Sequence, residues 1–293
     1  YRTDRSSTLP KDNNRFGYYS ISGSLVFSSL IDAPWLSFGK VRANYAEVGS
    51  ATDPYRVFNT LSFGTPYNGT AVASNPTVLA NLDLLPERQN SYELGLEMSF
   101  LNRRVGFDLS YYNNQNINQI TSIPLSTSTG YNSAVLNAGT IENKGVEVQF
   151  NATPFKTTDF QWDLNLNWSQ NKSLVVELLN GIDNLQLASL QGGISINATP
   201  GQPYGTIRGS DYIYADNGQP IVNQTGSSSR IGTYQRTSSS NNVIGDINAD
   251  WKAGLNNSIT YKNFNLSFLI DMQKGGDVFS LDTWYGYATG MYD

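Results

Sequence analysis

The chain reads as all-β: an antiparallel sheet of about eight long strands with the pattern of transmembrane barrel wall and long loops on one edge. Three observations predict this. Apolar and polar residues alternate with period two over most of the hydrophobic segments, while helical periodicity is nearly absent. Short turns and long connections alternate strictly along the chain. Charged residues make up only 15%, against roughly 25% in an average soluble domain; Ser, Thr, Asn, Gln and Gly supply the polarity, and aromatics reach 12% with 18 Tyr.

The strands follow in order. Tyr19, Ile21, Leu25 and Phe27 alternate with Ser20, Ser22 and Ser24, and a connection through Pro34 leads to Val41, Ala43 and Tyr45 opposite Lys40, Arg42 and Asn44. Tyr92, Leu94, Leu96, Met98 and Phe100 share one face, and after the turn 101–104 the pattern resumes with Val105, Phe107, Leu109 and Tyr111. Val146, Val148 and Phe150 then turn around Thr153-Pro154 into Phe160, Trp162, Leu164, Leu166 and Trp168. The last pair runs from Trp251, Ala253, Leu255, Ile259 and Tyr261 through Lys262-Asn263 into Phe264, Leu266, Phe268, Ile270 and Met272. Strands of about ten residues match what a tilted strand needs to cross a bilayer.

Short turns fall near 28–35, 101–104, 153–159 and 262–263, and long connections at 50–90, 114–143 and 171–250. Membrane barrels show this asymmetry, with tight turns on the inner rim and long loops on the outer one. Alternation by itself also suits a soluble sandwich, whose apolar face points to a core. Strand length, Asn-, Ser- and Glu-rich polar faces, and aromatics expected at strand ends (Tyr111, Tyr112, Trp168, Trp251, Tyr261) favour lipid.

Composition excludes several activities. Net charge is −5 without a basic cluster, which argues against nucleic acid. The chain has no Cys and no His, so it offers neither a thiolate metal site nor a Ser-His-Asp or Cys-His arrangement. No cofactor or metal site is expected, and no enzyme activity. Asp211 to Gly218 has oxygen donors suited to Ca²⁺ but lacks EF-hand spacing; Asn217-Gly218 reads as a hairpin turn. Sequons such as Asn68, Asn151, Asn171 and Asn197 fit chance in an Asn/Ser/Thr-rich chain. Gly145, Gly254, Gly275 and Gly276 read as residues that ease bending of the wall, and Lys144 to Glu147 as strand entry from the outer rim.

Two groups of side chains are candidates for function. Tyr55, Tyr67, Tyr131, Tyr204, Tyr212 and Tyr214, with Phe63 and Tyr234, are placed to stack on a substrate or pack against a partner, or else to pack the loops internally. Arg42, Glu93, Glu97, Asp108, Glu147 and Asp163 are placed on the lumen side, to line a path or to pair along the wall. Leu174 to Val176 and Ile213-Tyr214 read as short strands above the membrane, and 223–242 as the loop tip.

Several motifs, in order, resemble the C-terminal half of the SusC/RagA family of TonB-dependent outer-membrane transporters. They are Arg2 to Ser7 with Asn14 to Ser20, Leu36 to Gly49, Leu85-Pro86-Glu87-Arg88 with Ser91 to Gly95, Asn137 to Glu147, Trp168 to Lys172, Gly201 to Gly205, and Asp271 to Val278. The resemblance implies a Gram-negative outer-membrane location and one barrel domain through 1–293, part of a plugged barrel of about 22 strands. It also implies TonB-driven import of glycans, oligosaccharides or peptides, with a SusD-like lipoprotein as lid. The plug, the TonB-contacting region and any N-terminal domain lie outside these residues, whose two ends read as cuts in a longer chain. A scaffold role in an outer-membrane assembly, without import, is the alternative.

Overall fold

The central feature of the computed structural model, which describes residues 1–179, 181–227 and 230–292, is one eight-stranded antiparallel meander. Its strands are β1 (Ser20–Leu25), β2 (Leu36–Ser50), β3 (Glu87–Phe100), β4 (Val105–Ile117), β5 (Gly139–Lys156), β6 (Phe160–Leu178), β7 (Ala249–Tyr261) and β8 (Phe264–Gly275). Each pairs with its sequence neighbours, β1 to β8 in order, so β1 and β8 are the edges.

Because side chains alternate across a strand, register decides which residues share a face. Val41, Leu96, Leu109, Val148, Trp168, Ala253 and Met272 form one apolar row across seven strands. One residue further, Arg42, Gly95, Ser110, Glu147, Ser169 and Lys252 form a polar row on the opposite face. The apolar face is uncovered: Leu94 is 59% exposed and Leu266 60%. Each such side chain left in water forgoes roughly 1.5–3 kcal/mol, so this face requires an apolar cover.

The eight strands stand where the alternation placed them, but most are longer than ten residues; β6 runs for 19. They continue past the apolar band: after Tyr111 the same face carries Asn113 and Gln115, and after Trp168 it carries Gln170 and Lys172. This corrects the expected strand ends. Tyr111 and Trp168 mark the upper border of the apolar band in mid-strand; Tyr45 and Tyr92, whose rings lie 4.8 Å apart, are in register with Asn113, two residues beyond Tyr111. Tyr112 faces the polar side. A lower aromatic belt includes stacked pairs Trp35–Phe100 (5.9 Å) and Phe155–Trp162 (6.1 Å).

The turn after β5 is 157–159, not Thr153-Pro154. Pro154 lies at a register shift between Ala152 and Phe155, where a residue without an N–H interrupts the ladder at least cost. Lys144 to Glu147 likewise lie inside β5, which begins at Gly139, rather than at its entry.

Packing is concentrated in the long connections. Leu84, Val175 and Asn197 are the largest fully buried side chains. Ile123, Ala138, Val175, Leu185 and Ala198 form one cluster, and Leu9, Val57, Leu84 and Val135 another. Segments Val78–Leu79, Ile120–Pro124 and Ser133–Asn137 make a three-stranded sheet, and Leu185–Leu190, Ile194–Ala198, Thr206–Gly209 and Asn242–Asp246 a four-stranded one. Leu174 to Val176 belong to β6 itself. Of the expected tip 223–242, residues 233–237 pair back onto 211–223, while Ser228 and Ser229 lie outside the described residues. A helix that period-two reading did not anticipate, α1 (Leu281–Thr289), follows β8; Ser280 caps it by accepting from the Thr283 N–H, and Gly290 ends it in the left-handed region.

Candidate functional site

The polar face of the sheet is a shallow concavity of about 680 Å³ lined by Asn44, Gln89, Glu93, Tyr112, Asn143 and Glu147, among others. Its organising device is a long side chain laid over a glycine. Arg42 sits directly opposite Gly95, and its guanidinium reaches over β3 to Asp108 on β4, donating from Nη1 at 2.9 Å and Nη2 at 2.8 Å. It also donates to Ser110 and pairs with Glu93 at 3.5 Å. A Cβ on Gly95 would lie 2.3 Å from Arg42 Nε, so only glycine permits the crossing.

The arrangement repeats two strands on. Tyr112 sits opposite Gly145, where a Cβ would fall 2.6 Å from the Tyr112 hydroxyl. That hydroxyl donates to Asn171 Oδ1 at 3.1 Å across β5, and Asn171 donates to Asn143 Oδ1 at 3.4 Å. Gly145 lies in unbroken register; an added Cβ would also fall 2.3 Å from the Gln170 carbonyl oxygen, so the position leaves room for both the neighbouring strand and the Tyr112 crossing. At Gly254 the nearest side chain is 3.7 Å from an added Cβ, and no comparable crossing occurs.

Arg42, Glu93 and Asp108 are thus brought together, with the Lys40–Glu97 pair (3.0 Å) beside them. Glu147 lines the same concavity. Asp163 stands apart near the short-turn edge, accepting from Thr153 Oγ1 and Gln161 Nε2, both at 2.7 Å. Tyr112 was expected as an aromatic at a strand end, and the carboxamides of Asn114, Asn116, Asn143 and Asn171 were missed by reading strands of about ten residues. Extending the even-numbered alternation of β4 from Asp108 to Asn116 would have placed Tyr112, Asn114 and Asn116 on the polar face.

The candidate tyrosines divide. Tyr55 and Tyr67 are 81% and 80% exposed, and Tyr55 lines a cavity of about 280 Å³ with Phe58, Pro76 and Val78. The Tyr131 hydroxyl accepts from Asn59 Nδ2 at 3.4 Å, tying two long connections together. Tyr204 packs against the Val175 cluster; burial raises its phenol pKa above the ordinary value. Tyr212 meets Tyr234 edge-on at 5.6 Å, and Tyr214 stays exposed beside the Asn217-Gly218 turn, where the Gly218 N–H donates to Ala215 O at 2.8 Å. The Asp211 carboxylate is engaged by the Tyr212 N–H at 2.7 Å, which caps a turn. Among the described residues no group of three or more Asp and Glu side chains is placed to hold a metal ion.

Residues 1–271 match the family described as TonB dependent receptor-like, beta-barrel. A TonB-dependent receptor of Formosa agariphila is 28% identical over 96% of this chain and 30% of its own length. TonB-dependent receptor SusC of Bacteroides thetaiotaomicron is also 28% identical, over 91% of this chain and 28% of its own. A chain of the RagAB peptide transporter superposes with a TM-score of 0.76 at 19% identity, covering 91% of this chain and 30% of that one. The closed state of the RagAB peptide importer gives 0.78 at 18% identity, covering 94% of this chain and 31% of that one. These structural likenesses concern the fold. The chain spans about 30% of the length of the relatives it matches. From its family match, its motifs and its two-faced antiparallel sheet, this chain belongs to the TonB-dependent outer-membrane receptors, in their SusC/RagA branch.

Proposed function

We propose that the chain forms part of the wall and the outer rim of a transmembrane β-barrel that imports small organic substrates, of glycan or peptide type, across the outer membrane. The observation that carries this is the sheet's opposed faces: an exposed apolar face bordered by aromatic belts and a polar concave face of carboxamides and ion pairs. In this reading 1–293 lie in one multi-pass barrel domain and the connections 50–90, 114–143 and 171–250 are extracellular.

Energy comes from TonB acting on a plug formed by other parts of the protein, and a SusD-like lipoprotein closes the barrel from outside. The relatives named for RagAB and SusC support import over a purely structural role. Exposed Tyr55, Tyr67, Tyr212 and Tyr214 are available for stacking on substrate or lid, whereas the Tyr204 ring is committed to the rim core. Arg42, Glu93, Glu97, Asp108, Glu147 and Asp163 face the lumen. Two measurements test the proposal together: purification of the full-length protein in detergent with its bound partners, and growth on glycan or peptide sources with the gene intact or deleted. Co-purification of a lipoprotein and a source-specific growth defect are expected. A detergent-independent soluble protein overturns the barrel, and a membrane complex whose loss changes only surface assembly overturns import.

A further inference from the structure

Residues 211–223 and 230–237 are built unlike the rest of the rim. Three short arms close on one another through backbone hydrogen bonds: Ile221 N–H to Ile213 O (2.8 Å), Gln235 N–H to Ile221 O (2.7 Å) and Ile213 N–H to Gln235 O (3.0 Å). Asn223 Nδ2 adds a bond to Thr233 Oγ1 at 3.1 Å. This ring of bonds presents Tyr212 and Tyr234 edge to face, with the Arg236 guanidinium 5.5 Å above the Tyr212 ring.

The cavity beside them measures about 1,110 Å³ and is lined by Tyr212, Asn223, Arg230, Thr233, Tyr234 and Arg236, with further neutral polar groups. Among the described residues its lining holds neither a carboxylate nor an aliphatic side chain. Among the described residues no Asp or Glu pairs with Arg230 or Arg236, although the chain as a whole carries net charge −5. Two guanidinium forks without a counter-charge match carboxylate or sulfate oxygens. Tyr faces suit the C–H faces of sugar rings, and the Asn, Thr and Gln groups suit hydroxyls. Apolar peptide side chains find no aliphatic pocket among the described lining residues, so an acidic peptide is the competing ligand to test. The volume, at or above that of a typical small-molecule pocket, suits an oligomer.

We propose that this three-armed unit is a binding site for an anionic oligosaccharide, with Arg230 and Arg236 holding acid groups and Tyr212 and Tyr234 the sugar rings. It deepens the import reading and rests on it. The test uses full-length protein in detergent and isothermal titration with three probes: a galacturonic acid tetramer, its fully methyl-esterified form, and an acidic tetrapeptide of equal charge. Tightest binding of the acid tetramer is expected. It should fall at least tenfold in the ester and in the Arg230→Gln/Arg236→Gln variant, and be recovered in part by Arg230→Lys/Arg236→Lys. Tyr212→Ala should weaken both saccharides, with the folded gel mobility of each variant as control. Equal affinity for the ester, affinity unchanged by the arginine variants, or preference for the peptide overturns the proposal. Uptake by cells is scored separately: import without binding at this site removes the site alone, and binding without import removes the import reading.

Discussion

Arg42 reaches Asp108 across an intervening strand, passing over Gly95, whose missing side chain is the gap it needs. The ion pair is partly exposed, with side chains 26% and 31% accessible, so its Coulombic share is modest. The geometry is what binds three strands together. Gly95→Ala should displace the whole Arg42 side chain and cost about 1–2 kcal/mol, read as a lower urea midpoint for full-length protein in detergent. Gly254→Ala, where an added Cβ has 3.7 Å of clearance, is the control. Equal midpoints for the two variants would remove the crossing from the stability of the wall.

Leu255 and Asn256 are adjacent in β7 and face opposite ways. Under the lipid-facing assignment, Leu255→Arg should cost roughly 2–4 kcal/mol near the bilayer midplane and abolish folding into vesicles, while Asn256→Arg should fold nearly as wild type. Folding yield by heat-modifiable gel mobility measures both. The reverse order would exchange the two faces.

Asn257 is the polar residue in the apolar row of β7. It is buried, and its carboxamide oxygen accepts from Trp162 Nε1 at 3.4 Å. Trp162→Phe leaves that oxygen without its donor and should destabilise by about 1–3 kcal/mol. Asn257→Leu on the Trp162→Phe background should restore part of the loss. A double-mutant cycle showing plain additivity would mean the two side chains do not interact.

Tyr204 holds the rim core together. Tyr204→Ala should loosen the 179–248 unit and speed its cleavage in limited proteolysis, with little effect on the barrel midpoint. Burial raises the pKa of this phenol in the folded state. Its contribution is therefore complete below the unfolded value, about pH 10, and is lost as pH rises through the folded pKa. Proteolysis of the wild-type unit should accelerate above about pH 10, and Tyr204→Phe should lose this component of the pH dependence.

The eight wall strands were legible because period-two alternation is written residue by residue and needs no knowledge of partners. The turns at 101–104 and 262–263 were legible because the alternation stops and resumes there; in the structure Leu101, Asn102, Arg103 and Lys262 adopt left-handed backbone at these turns. Strand ends were less so, because Asn113 to Asn116 and Gln170 to Lys172 carry no apolar signal, yet they continue the ladder by backbone bonds that any side chain permits. Helix α1 was missed although Leu281, Trp284, Tyr285 and Ala288 recur at helical spacing, because its 9 residues give that period too short a run to stand out; its Ser280 cap and Gly290 stop are the further signals that mark it.

Alternation by itself determined that this protein has one apolar and one polar sheet face, since side-chain direction reverses at every residue of a strand. Only the tertiary structure decided which polar side chains act together. Arg42 with Asp108, and Tyr112 with Asn171, lie 66 and 59 residues apart, and each pair depends on a glycine placed between them by register. The tyrosines were equally ambiguous in sequence: Tyr204 and Tyr212 lie in one long connection, and they differ because one part of it folds a hydrophobic cluster around the Tyr204 ring while another closes into a hydrogen-bonded frame beside Tyr212. The physical reason is that facing is a local property of the backbone, whereas contact is a property of register between strands that the chain brings together only on folding.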